Sequence, residues 1–228
     1  MNPSLRVGNR SIPVQVIGHD PVSRLGFLKV EGPPPIKPII WLKEADISAD
    51  TPLHAMAPGG SIQCQSAGWV KQVGGKILPL ALLRVNFDQA VPPSGTALLD
   101  QSGRVVGIVF QSSGIGNAAY AIPAEAVHRV RRDICNGGRL VRGWLGLSLR
   151  AENPSPQVVR VLPKSPAAAA GIQAGDLLLT IGSHPVTDYA DAANAFFYLI
   201  PDQPVRVQLR RRTEQLAFTL TPTRPQAE

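Results

Sequence analysis

Between Ser165 and Gly182 the chain reads Ser-Pro, four alanines, Gly-Ile-Gln-Ala-Gly-Asp, three leucines, then Thr-Ile-Gly. Few local structures accommodate that order. Ser165 can cap a helix, Pro166 can open it and Gly171 can close it after one turn. Gly175-Asp176 then turns the chain into an apolar strand, Leu177–Ile181. The rest of this region has matching grammar. Gly143–Arg150 and Val158–Leu162 read as strands. Asp188–Ile200 reads as a helix capped by Thr187 or Asp188, with Ala192, Phe196 and Leu199 on one face. Val205–Leu209 and Gln215–Thr221 read as a closing hairpin. The predicted second domain is a small α+β unit spanning 139–228.

Residues 1–138 have a different texture. Short candidate strands alternate with Gly and Pro: Val14–Ile17, Gly26–Val30, Ile39–Leu42, Leu80–Val85, Ala97–Leu99 and Val105–Phe110. Such spacing predicts an all-β barrel or sandwich. Gly32 to Pro38 reads as a stiff loop, since its adjacent prolines cannot feed a ladder. A helix is expected from Pro123 through Val130 to the Gly137-Gly138 boundary.

Composition narrows the function classes. The net charge of +7 is spread along the chain. Its dense spots are Arg129/Arg131/Arg132, read as a solvated helix face, and Arg210–Arg212, read as a strand end. No aromatic residues interleave with them for base stacking, so no nucleic-acid partner is expected. No apolar run reaches the ~18 residues of a membrane span, and the opening residues lack a signal-peptide pattern. Taken literally, that places the chain in the cytoplasm. Cys64 and Cys135 lie in no zinc-like spacing, so no metal or other cofactor is expected. Two free thiols and one disulfide both remain open.

The Ser165–Gly182 run with Pro185-Val186 resembles the "SPAxxAGLxxGDxIxxxxGxxV" stretch of PDZ domains in HtrA/Deg serine proteases. Gly143-Trp144-Leu145-Gly146-Leu147 resembles that family's carboxylate-binding loop. The resemblance implies a groove that takes peptide or unfolded-protein C-termini. Such a site adds a peptide strand to a sheet edge beside a helix. Gly146 would turn backbone N–H groups toward the terminal carboxylate. Trp144, Leu145, Leu147 and Leu149 would form the loop and pocket floor, and Ala192 and Phe196 its wall. The same apolar residues could also be ordinary core.

The first domain resembles the same family's trypsin-like protease half, diverged and lacking the start of its first barrel. Val16–Val30 is similar to "VVGxDPxTDLAVLKV", Val91–Ile108 to "PGNSGGPLLNxxGxVIGI", and Ala119–Pro123 to "GFAIP". The resemblance implies a trypsin-like (chymotrypsin-fold) β-barrel, possession of a serine at Ser94, a periplasmic location and a homo-oligomer. It also exposes departures. Arg24 stands at the aspartate position, and a guanidinium cannot orient an imidazole. Pro92 stands at an oxyanion-donor position and has no N–H. None of His19, His54, His128 and His184 lies in the family's histidine motif, which would precede this chain. His128 reads as helix surface, His184 as a turn residue, and His19 and His54 as loop or strand-edge residues. The expectation is a pseudoprotease that binds hydrophobic peptides, with Ser94 a relic nucleophile. Two alternatives stand beside it: an active endopeptidase of protein quality control, completed by further residues or a partner, and a basic scaffold for nucleic acid.

Overall fold

The computed structural model describes residues 3–32, 38–42, 47–57, 59–150 and 155–225. The chain forms two compact units: Met1–Val70 with Ala81–Leu140, and Lys71–Leu80 with Val141–Glu228.

The first unit starts with β1 (Ser4–Val7), β2 (Arg10–His19) and β3 (Gly26–Val30), an antiparallel sheet in that order. Its period-2 pattern sorts most of the residues on its two faces. Leu5 opposes Ile12, Val14 opposes Val30 and Val16 opposes Leu28, all apolar, while Arg6 opposes Ser11 and Gln15 opposes Lys29. On the apolar face Val14 is buried, but Val16 and Leu28 keep 57% and 50% of their surface exposed.

The following strands close into a barrel: β4 (Pro52–Ala57), β5 (Gly60–Val73), β6 (Lys76–Phe87), then β9 (Ala118–Pro123), β8 (Val105–Ser112) and β7 (Ala97–Leu99), with β7 returning to β4. Alternate residues point inward, so Leu53, Ala55, Cys64, Leu83, Val85, Leu98, Val106, Val109 and Ala121 make one core. Closure leaves no unpaired barrel edge. Helix α1 (Ala124–Gly137) follows β9 and ends on Gly138 at φ 71°. It packs against β2, β8 and β9. Pro123 is the residue before the helix rather than its first residue.

Several expectations change. Ile39–Leu42 is no strand. It makes one parallel bridge, Trp41 to Val105, because β8 beyond that point is already paired to β7 and β9. The 14-residue β5 lies outside the expected strands, and its glycines, glutamines and serines have weak intrinsic strand preference. Arg129 is buried, not solvated: its guanidinium lies 2.6 Å from Asp133 one turn along α1. Most of the Gly32–Pro38 loop lies outside the described residues.

The second unit holds the two-stranded pair β10 (Leu147–Leu149) and β11 (Val158–Val161), the short α2 (Pro166–Ala169), and a sheet ordered β13 (His184–Pro185), β12 (Leu177–Ile181), β14 (Val205–Arg211), β15 (Glu214–Leu220). Helix α3 spans Tyr189–Phe197. Ser165 caps α2, accepting from the Ala168 N–H at 3.1 Å. Asp188, not Thr187, caps α3, accepting from the Asp191 N–H at 2.7 Å. The expected strand from Gly143 shortens to β10, and Leu199 lies beyond the end of α3. Leu145, Val158, Leu178, Ile181, Ala192, Ala195, Val207 and Leu209 share the core.

Candidate functional site

The loop joining β6 to β7 carries Pro92-Pro93-Ser94-Gly95. Ser94 is exposed and Pro92 buried. The backbone here has few donors to offer. Pro92 and Pro93 have none. The Gly95 N–H, at φ 92°, is spent on the Val109 carbonyl at 2.7 Å. Both the N–H and the hydroxyl of Thr96 fold back onto the Pro93 carbonyl, at 3.2 and 2.7 Å. Only the Ser94 N–H remains, whereas an oxyanion site uses two converging donors.

The β2–β3 turn is equally committed. The Asp20 carboxylate is 1% exposed and accepts from the Ser23 N–H and hydroxyl at 2.7 and 2.8 Å. It staples the turn and orients no base. Arg24 sits in the left-handed region at φ 56°, its guanidinium 5.6 Å from the Phe110 ring centre.

The four histidines disperse. His19 ends β2, exposed. His54 is not a loop or edge residue: it is half-buried inside β4, between Gln63 of β5 and Leu99 of β7. His128 is half-buried against Trp41, with ring centres 5.9 Å apart, rather than on the open helix surface. His184 stacks on Tyr198 at 4.4 Å. Among the described residues, no histidine is hydrogen-bonded to Ser94.

Cys64 is buried in the barrel and Cys135 exposed on α1, and both thiols are free. Burial, reinforced by the Asp88 carboxylate, pushes the Cys64 thiol up to about 12, so it stays protonated and unreactive. No group of three or more potential metal ligands gathers among the described residues.

The second unit keeps an open construction. Gly146 adopts φ 78° with almost no space around it. A Cβ there would lie 2.1 Å from the Ser165 Cβ and 3.2 Å from the Trp144 ring. The flanking carbonyls are occupied: Leu145 accepts from Ala167 at 3.0 Å and Gly146 from Leu162 at 2.9 Å. The N–H groups of Leu145 and Gly146 donate to no acceptor among the described residues. Trp144 exchanges two backbone bonds with Thr223, at 2.7 and 3.0 Å, fixing the loop's entry. That anchor, and the packing of Ser165 on Gly146, carried no sequence signal.

β10 pairs only with β11, so its other edge is unpaired among the described residues. Leu147, Leu149 and Phe196 are half-buried against the core of this unit. Ala192 and Leu145 are buried within it, at 0% and 3% exposure. Two concavities open elsewhere, one beside Asp176 and Arg211 and one along α2 and β15.

Two carboxylates brace this unit. Asp176 faces Arg211 through two 2.8 Å bonds and accepts from the Gln173 N–H at 2.9 Å. Burial pushes its carboxyl up, but these bonds outweigh burial and hold it below the ordinary carboxylate range. Asp191 on α3 pairs with Lys71 and with Thr187. Burial again pushes up, and Lys71 and Thr187 bring the carboxyl below its ordinary range.

Comparison with known proteins agrees with this geometry. The PDZ domain model matches residues 143–221. A probable periplasmic serine endoprotease, DegP-like, of Pseudomonas fluorescens is 30% identical over 82% of this chain and 44% of its own length. The periplasmic pH-dependent serine endoprotease DegQ of Escherichia coli is 26% identical over 93% of this chain and 51% of its own. The chain thus spans about half the length of the curated relatives it matches. Among solved structures, the HtrA-type protease AlgW with tripeptide superposes with a TM-score of 0.62 at 21% identity, covering 96% of this chain and 79% of that one. The serine endoprotease from Yersinia pestis gives 0.53 at 23% identity, covering 98% and 80%. The mainly β architecture is the trypsin-like one of these proteases. The chain is similar to HtrA-type proteases over about half their length and carries a PDZ domain at residues 143–221.

Proposed function

We propose that this chain captures C-terminal or extended hydrophobic peptide segments between β10 and α3, and that its protease-like half does not cleave them. The observation that carries this reading is the edge of β10 left unpaired among the described residues, directly after the Leu145 and Gly146 N–H groups that donate to no acceptor there. An incoming strand would pair with that edge, its carboxylate received by the N–H groups. Leu147, Leu149 and Phe196 would contact its apolar side chains, over a base of Ala192 and Leu145. Loss of cleavage follows from two residues, Pro92 without a donor and Arg24 without a carboxylate, with Ser94 a relic. The matched relatives are named periplasmic, and we place the peptide-binding role in that compartment. A homo-oligomer is consistent with this role.

The test is binding of a fluorescent peptide ending in a free apolar residue, compared with its C-terminal amide. Binding of the acid at least about ten-fold tighter is expected, since the amide removes a charge-assisted bond to backbone N–H. Equal binding of both would sink the carboxylate site. Casein cleavage that vanishes in Ser94→Ala would establish the active endopeptidase instead.

A further inference from the structure

The edge that receives the peptide also presents a charged face. Along β10, Leu147 and Leu149 turn toward the core, while Ser148 is exposed on the opposite face. Ser148 lies directly opposite Arg160 of β11. Arg150, two residues after Ser148 and also exposed, continues the same alternation. Neither arginine has an ion pair among the described residues.

An antiparallel peptide has a fixed register here. With its carboxylate at Gly146, its last residue lies beside Leu147, the second-last beside Ser148, the third-last beside Leu149 and the fourth-last beside Arg150. The last and third-last side chains share the apolar face. The second-last and fourth-last share the face of Ser148, Arg160 and Arg150. Strands are spaced at about 4.8 Å, so a second-last side chain and Arg160 stand roughly 10 Å apart at the backbone. The small Ser148 between them leaves a guanidinium and a carboxylate free to meet across it. Arg150 is the immediate neighbour of the fourth-last residue.

We propose that the groove selects hydrophobic C-termini with acidic residues at the second-last and fourth-last positions. This rests on the peptide-binding reading above and deepens it. Two guanidinium groups with no ion pair among the described residues, Arg160 on β11 and Arg150 just past β10, favour carboxylates on the matching face of the added strand.

Net charge alone would attract any acidic peptide, so position must be separated from total charge. Two isomeric peptides with the same apolar last residue serve. One carries glutamates second and fourth from the end, the other sixth and eighth. At 50 mM salt the first should bind about five-fold tighter to the full chain, from two exposed pairs. The preference should shrink at 500 mM salt and disappear in Arg160→Glu with Arg150→Glu, whose exposed positions leave the fold intact. Equal binding of the two isomers, with the carboxylate–amide difference retained, overturns the selectivity and leaves the groove standing. No binding by either isomer overturns the groove and the selectivity together.

Discussion

The loop at Pro92–Gly95 and the loop at Trp144–Leu147 offer a direct comparison, because each is built where related folds aim backbone N–H groups at a negatively charged oxygen. In the first, two prolines delete donors and the Gly95 N–H is consumed by Val109. In the second, the carbonyls are consumed and the Leu145 and Gly146 N–H groups donate to no acceptor among the described residues. The glycines differ likewise. Both have positive φ, but nothing lies within 4 Å of a Cβ built on Gly95, while one on Gly146 collides with Ser165. Positive φ at a glycine is therefore common to both loops, and what separates them is the unpaired donors that the proposed carboxylate site requires.

The sharpest way to break the comparison is to substitute both glycines. Gly146→Ala should destabilise the second unit by roughly 2–4 kcal/mol, combining overpacking with an unfavourable φ, and should abolish peptide binding. Urea unfolding followed by Trp fluorescence would measure it. Loss of binding in any Gly146 variant therefore reports on folding as well as on the carboxylate loop.

Next in size is Asp176→Asn, which removes charge from the Arg211 pair supporting the same unit. A loss of roughly 1.5–3 kcal/mol is expected. Because the folded carboxyl is held below its ordinary range, its contribution is present above the unfolded pKa of about 3.9 and is lost as pH falls through the lower folded value. Acid unfolding of the wild-type chain should lose this component below about pH 4, and the variant should lack it. A variant with an unchanged acid limb would remove Asp176 from the account.

Gly95→Ala should cost only about 1–2 kcal/mol, the left-handed backbone penalty without a clash. A cost equal to that of Gly146→Ala would erase the distinction between the loops. Smallest of all, Pro92→Gly should leave casein hydrolysis at background. One such donor is worth about 10²–10³ in rate where a triad is intact, but Arg24 still faces Phe110 in place of a carboxylate. Measurable turnover in this variant would show that the other parts suffice.

How much was legible in sequence follows from range. Signals carried by neighbouring residues were readable: the Ser165-Pro166 cap, the Leu177–Ile181 strand and the Ala97–Leu99 strand all fold as read. Signals needing a distant partner were not. His54 reads as a loop or strand-edge residue until β5 and β7 flank it, and Arg129 reads as solvated until the folded chain buries it beside Asp133. β5 shows the same limit, since its polar residues become strand only when β4 and β6 supply bonds. At the candidate site, Gly146 could be singled out from its motif, whereas the reason it tolerates no side chain lies 19 positions away at Ser165.

The three-stranded sheet at the start of the chain has a practical consequence at the bench. Its Val16–Leu28 pair is an oily window on the folded molecule. Environment-sensitive dyes will light up on it before any heating, and a dye-based melting curve will begin from a raised baseline. Intrinsic fluorescence or calorimetry is the sounder readout for the stability variants named above.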